Sequence, residues 1–311
     1  MPPMLNISKS KRALPMCVFA WLLYAYALQA CAQSVAFSFD DGFDPRKQPE
    51  AAQWNARLLE QLRAARIEAM LFPAAGRVDS PDGLALVRAW GEAGHVIGNH
   101  TYSHRNLNAV AVVATDFLAD VERADTLLKG MPGWRPMLRF PYLKEGGDAQ
   151  ERDAVRAWMA QHRYRHAPPS IDTSDWYYNQ RFLAMREACP DCERSTLKQA
   201  YLAHLLERAR YYDDLARRTL GRSPRHVLLL HANAINAEYL ADVAASFRAA
   251  GWTIIAPMHA YRDKMYRMTP AIVPAGESIV WALAKARDTQ GLRYPAEDGI
   301  YEAPKLDALG D

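Results

Sequence analysis

The sequence predicts an α/β fold built on parallel strands. Seven strand-like runs alternate with helical ones between Val35 and Ala256, the rhythm of strand–helix crossover units. The run "HVLLLH" near the end of that stretch is apolar enough for a strand buried on both faces. Charged and metal-binding residue types recur where these strands end, which is where parallel α/β folds gather their chemistry. Periodicity alone leaves open whether the strands close into a barrel.

Val35, Phe37 and Phe39 alternate with small or polar residues, the two-residue period of a first strand. "AAQWNARLLEQLRAARI" follows as a helix, with Trp54, Leu58 and Leu62 on one face. "EAMLF" reads as strand, "LALVRAW" as helix and "HVIG" as strand. "VVATDFLADVERADTLL" is an amphipathic helix through Phe117, Val121 and Leu128. "MLRF" then reads as strand, "RDAVRAWMAQH" as helix and "YRHA" as a weak fifth strand. A helical region spans 197–220, and "HVLLLH", "LADVAASFRAAG" and "WTIIA" complete the series. Two segments break the rhythm. Residues 170–224 are long and rich in Tyr and Arg, and the tail after Pro257 has one helical stretch, "SIVWALAKAR".

The chain has 311 residues, half of them apolar and 23% charged, enough to bury a sizeable core. Lys9, Lys11 and Arg12 precede an apolar run that ends in Ala30-x-Ala32. Basic start, apolar middle and small residues at the end make a secretory leader, with cleavage expected after Ala32. A retained membrane anchor is the alternative for this leader, and "LQAC" loosely resembles a lipoprotein signal at Cys31. Without those three cations, 35 basic residues face 35 acidic ones, so a basic field for nucleic acid is not expected. Cys189 and Cys192, three apart, are expected to form a local disulfide in an oxidising compartment. The expected location is periplasmic or secreted.

"SVAFSFDDGFDP" delivers two carboxylates, Asp40 and Asp41, to one strand end. Adjacent carboxylates repel unless a cation or donor relieves them, although Asp-Gly is also ordinary turn chemistry. A candidate partner is "GNHTYSHRN", where His100 and His104 stand four apart, a spacing that a helical turn would place on one face. Two imidazoles and one carboxylate would leave an open position on a metal. Arg139 closes "MLRF" ahead of Pro141 and Tyr142; Asp175 and Trp176 follow the weak fifth strand; His231 ends "HVLLLH". Each has an ordinary structural explanation, respectively a surface ion pair, a helix N-cap and a satisfied core histidine. Their coincidence at strand ends favours a common site.

On these residues the chain resembles the polysaccharide deacetylase family, the NodB-homology group of carbohydrate esterases. Five ordered motifs carry the likeness: Ser38-Phe39-Asp40-Asp41-Gly42, His100-Thr101-Tyr102-Ser103-His104, Arg139-Phe140-Pro141-Tyr142, Asp175-Trp176 and Leu229-Leu230-His231. The resemblance implies a deformed (β/α) barrel of about seven parallel strands. It implies Asp40 as general base, and Asp41, His100 and His104 as ligands of one divalent metal, zinc first, with cobalt or nickel possible. It implies that Arg139 orients Asp40, that the Tyr142 backbone N–H faces an oxyanion, and that His231 is general acid with its pKa set by Asp175. Trp176, with Tyr177 and Tyr178, is a candidate sugar-facing residue.

The organisation expected is a leader over 1–32, a catalytic domain over 33–257 with an insertion around 177–224, and an extension over 258–311 packed on the same domain. The expected function is metal-dependent removal of acetyl groups, N-acetyl foremost, from an amino-sugar polymer such as peptidoglycan, a chitin-like glycan or an exopolysaccharide. Two other readings compete: an amide hydrolase of non-carbohydrate substrates, and a silent glycan-binding module. A silent module would be expected to lack a ligand or the base, and this chain lacks neither.

Overall fold

The computed structural model describes residue 1 and residues 33–308. The leader expected over 1–32 therefore falls almost wholly outside the described residues. From Gln33 onward the chain forms one compact unit. Its elements are β1 (Ser34–Asp41), α1 (Ala51–Ala64), β2 (Ala69–Pro73), α2 (Pro81–Glu92), β3 (Val96–Asn99), α3 (Ala114–Leu128) and β4 (Trp134–Leu138). Then come β5 (Lys144–Gly146), α4 (Ala149–Gln161), β6 (Arg165–His166), α5 (Asp175–Ala188), α6 (Ser195–Leu220) and β7 (Arg225–His231). The chain ends in α7 (Ala234–Ala249), β8 (Thr253–Ile254), α8 (Pro257–Ala260), β9 (Ala275–Gly276), α9 (Ile279–Lys285) and α10 (Gly299–Asp307).

Seven strands make one parallel sheet in the order β6-β4-β3-β2-β1-β7, with β8 pairing the start of β1. The sheet curls until one segment bridges its two ends. Ala167 N–H donates to Leu138 of β4, and just beyond Pro168 and Pro169 the N–H groups of Ser170 and Ile171 donate to Val227 of β7. The two prolines carry no backbone N–H and cannot extend the ladder themselves. The result is a deformed parallel barrel, as expected.

Strand β1 is central, and its alternation sorts two environments. Phe37 and Phe39 face outward, against Phe247 of α7 and Trp90 of α2 respectively. Ser38 and Asp40, on the opposite face, point into the barrel, where both meet Arg139. Helix α1 buries Trp54, Leu58 and Leu62 as its spacing predicts; each such side chain contributes about 1.5–3 kcal/mol on burial. Helix α2 starts with Pro81 at its first position, behind Ser80, whose hydroxyl accepts from Gly83 N–H. Gly98 in β3 lies where any Cβ would stand 2.5 Å from the Phe72 ring, so only glycine lets β3 approach β2 there.

The two segments that break the sequence rhythm hold ordered helices, among them those expected over 197–220 and at "SIVWALAKAR". Residues 170–224 hold α5 and α6, which bury Tyr178, Tyr201, Leu205 and Tyr212 in the main core. The Cys189–Cys192 disulfide closes the turn between them. The tail adds α10, which its composition hides, and a two-stranded antiparallel ribbon of β5 with β9. Among the described residues no helix is long and apolar enough to cross a membrane.

Candidate active site

Every strand-end residue singled out in the sequence lies at the carboxyl mouth of the barrel. Asp40 stands opposite His231 in the β1–β7 register. Its carboxylate is almost wholly buried and receives Arg139 Nη1 at 3.0 Å on one oxygen and 3.2 Å on the other. Burial pushes Asp40 up to about 6; Arg139 and His231 pull it down without cancelling that effect, and Asp41 adds to it. Asp40 is thus a carboxylate poised to take a proton near neutral pH.

Asp41 turns the other way because its backbone is left-handed, with φ 80°. Its Oδ2 pairs with Arg77 at 3.2 Å. Its Oδ1 is buried without a hydrogen-bond partner, 3.3 Å from His104 Nε2 and 4.0 Å from His100 Nε2. An orphaned buried carboxylate oxygen is costly, so this one is suited to holding a cation. The imidazoles fit that demand. His100 Nδ1–H donates to the Arg139 carbonyl at 2.7 Å, which leaves the Nε2 lone pair facing Asp41. Burial pushes both His100 and His104 down, outweighing the pull of Asp41, so both rings are neutral and able to ligate. Ligand atoms of Asp41, His100 and His104 all lie within 4.8 Å of one another.

The histidines do not share a helical turn, as their spacing suggested. They sit on an irregular loop after β3, in which Thr101 and His104 have φ 63° and 54°. Local hydrogen bonds hold that shape: Thr101 N–H to Asn99 Oδ1, His104 N–H to Thr101 Oγ1, and both Tyr102 and Ser103 N–H to Asp120. Tyr142 and Leu143 are also left-handed. Such conformations cost about 1–3 kcal/mol each and persist where the surroundings dictate them. Five non-glycine residues of this kind ring one mouth.

His231 Nδ1 lies 2.6 Å from Asp175 Oδ1. Asp175 opens α5, and its Oδ2 accepts from His231 N–H, Asn233 and Asn236. Tyr142 is exposed, its ring 4.7 Å from that of His104. Trp176 is exposed beside Tyr177, whereas Tyr178 is buried in the core and faces no cleft.

Four contributors escaped the sequence reading: Arg77 on Asp41, Asn233 and Asn236 on Asp175, and Tyr261 on Arg139. Arg77 follows β2, so the strand-end rule had the means to find it. Asn233 caps α7 through Asn236 N–H, a signal that explains its presence but not its contact with Asp175.

A second acidic cluster, His204 with Glu297 and Glu302, is of a different kind. His204 Nε2 already accepts from Ser174 N–H, so Nδ1 carries the proton and faces Glu302 at 3.3 Å. Arg208 and Arg293 neutralise Glu297. No imidazole lone pair is left for a cation there.

Fold and site together define a parallel α/β barrel with an acid–imidazole, cation-ready cluster at its carboxyl mouth. The family model described as "Polysaccharide deacetylase" matches residues 28–166. The peptidoglycan-N-acetylglucosamine deacetylase of Bacillus cereus is 29% identical over 163 residues, 51% of this chain and 53% of that protein. The chain thus spans about half the length of that curated relative. Among solved structures, a Streptococcus mutans CE4 esterase superposes with TM-score 0.50 at 16% identity, over 75% of this chain and 90% of that one. A CE4 family pseudoenzyme from Bacillus anthracis superposes with TM-score 0.50 at 14% identity, over 74% of this chain and 66% of that one. Over residues 28–166, a little under half of its length, the chain is similar to the polysaccharide deacetylase family. Asp175 and His231 lie beyond the matched residues, and the structural likenesses carry the fold alone.

Proposed function

We propose that this chain is a metal-dependent deacetylase that removes N-acetyl groups from an amino-sugar polymer outside the cytoplasm. The observation that carries the proposal is the orphaned Asp41 oxygen facing two neutral imidazoles, beside a raised carboxylate at Asp40. Fold alone could not support it, because a pseudoenzyme shares this architecture. The relative from Bacillus cereus is named for peptidoglycan N-acetylglucosamine, which makes a peptidoglycan-type glycan the first substrate to test.

Asp41, His100 and His104 would hold one divalent ion, zinc first by donor type, which would supply Lewis acidity toward an acyl carbonyl and a nearby water. Asp40 takes the proton of the attacking water. Arg139 holds the Asp40 carboxylate in place from below, and because Arg139 is itself buried it cannot swing away to solvent. The Tyr142 turn offers its backbone N–H to the oxyanion, a contribution of about 3 kcal/mol for one well-placed donor. His231 protonates the departing amine, and Asp175 keeps Nδ1 occupied so that Nε2 carries out the transfer. Trp176 and Tyr142, both exposed at the mouth, supply faces on which a sugar ring can rest.

An acetate-release screen tests the reading, with metal-reconstituted protein on peptidoglycan, chitin-like oligomers and an acetylated exopolysaccharide. Acetate from at least one glycan is expected. Release from small non-carbohydrate amides but from none of the glycans would replace it with a different amidase.

A further inference from the structure

Beneath Asp40 the barrel interior is a polar column, and its lowest member comes from outside the segment that the family model matches. Tyr261 follows α8, and its side chain is fully buried. Its hydroxyl accepts from Arg139 Nη2 at 3.2 Å and donates to the Ala167 carbonyl at 3.1 Å. The same Ala167 oxygen accepts Arg139 Nε–H. Tyr261, Arg139 and Ala167 therefore close a triangle at the seam where the barrel's two ends are bridged. Arg139 Nη2 also donates to Ser38 Oγ at 3.1 Å, and Ser38 in turn donates to the Leu228 carbonyl.

A guanidinium is planar and rigid, so fixing Nε and Nη2 fixes the direction of Nη1. Nη1 is the nitrogen that reaches both oxygens of Asp40. We propose that Tyr261 is a positioning residue of the active site, which sets the plane of Arg139 and through it the orientation of the Asp40 carboxylate. This rests on the hydrolase reading above and extends the working site into the tail. The tyrosine is itself anchored: its carbonyl accepts from Arg165, its ring packs on Tyr266, and Asp263 two residues on is clamped by Arg222 and the Arg225 N–H. Tyr261→Phe therefore keeps the ring and its packing while deleting one hydroxyl from a hydrogen bond to a charged group.

The test compares wild type, Tyr261→Phe, Asp40→Asn and the double variant as metal-reconstituted full chains, releasing acetate from an N-acetylglucosamine oligomer. Tyr261→Phe should lower kcat about tenfold, the scale of one hydrogen bond to a charged group. KM should stay within about twofold, and bound metal should remain at a full equivalent. In the Asp40→Asn background, followed over long incubations, the same change should have almost no further effect, since residues that act as a unit are not additive. An unchanged kcat in Tyr261→Phe overturns the proposal, and so does a loss of equal size in both backgrounds. A wild type that releases no acetate overturns the hydrolase reading itself and takes the proposal with it; an active wild type with an unaffected Tyr261→Phe overturns the positioning role alone.

Discussion

His231 Nδ1 and Asp175 Oδ1 are 2.6 Å apart, and Asp175 is completely buried. Burial alone pushes His231 down, but the Asp175 charge and hydrogen bond, with further help from Asp41 and Asp40, raise it to about 10. A histidine so placed stays protonated through neutral pH and loses its proton only in the alkaline range.

The pH profile of turnover should therefore be bell-shaped, with His231 or the coupled set around it on the alkaline limb. The sign follows from the partner: Asp175 stabilises the protonated ring, so Asp175→Asn lowers its pKa and moves the alkaline limb to lower pH. His231→Ala should keep metal and lose most amide turnover, with a smaller loss on an activated ester whose leaving group needs no proton. Equal losses on amide and ester would return His231 to a structural role.

Removing a ligand should cost metal without costing the fold. His104 sits on a loop and is partly exposed, so His104→Ala should leave the melting transition nearly intact. Metal analysis after gel filtration should find the ion gone. A full equivalent retained by this variant would exclude His104 from the ligand set.

The two aspartates should separate cleanly. Asp40→Asn should hold its metal and lose about a hundredfold or more of turnover, as expected for a general base. Asp41→Asn should weaken metal binding first, since its Oδ1 is the oxygen facing both histidines. The reverse pattern in a metal titration of the two variants would exchange their roles.

Export makes a separate prediction. Mature protein should begin near Gln33 and be recovered outside the cytoplasm. N-terminal sequencing and mass spectrometry check this: an intact Met1, or a lipid on Cys31, would contradict a soluble exported form.

Much of the site was legible because parallel α/β folds deliver chemistry to strand ends, and Asp40, Asp41, Arg139 and His231 each end a strand in the sequence pattern. His100 and His104 were legible by type but not by shape. Their spacing suggests a helical turn, whereas Asn99, Thr101 and Asp120 impose left-handed loop geometry that no periodicity encodes. Asp175 was flagged by its place after the weak fifth strand, and its pairing with His231 was implied by the family resemblance; α5, which it opens, buries a narrow stripe of Asp175, Tyr178 and Phe182, too little to pattern the helix. Tyr261 was illegible. Its role depends on a tail crossing under the barrel and on the Pro168-Pro169 bridge, both long-range facts. The β5–β9 ribbon was hidden for a similar reason, since strands of two or three residues carry no readable alternation.

Metal-dependent hydrolysis is tested most directly by acetate release from an N-acetylglucosamine oligomer by three preparations: chelator-stripped protein, the same protein given one equivalent of zinc, and zinc-loaded Asp40→Asn. Turnover is expected only in the zinc-loaded wild type, with Asp40→Asn holding its zinc and remaining at least about a hundredfold slower. Undiminished acetate release by the stripped protein, or by zinc-loaded Asp40→Asn, would contradict that expectation.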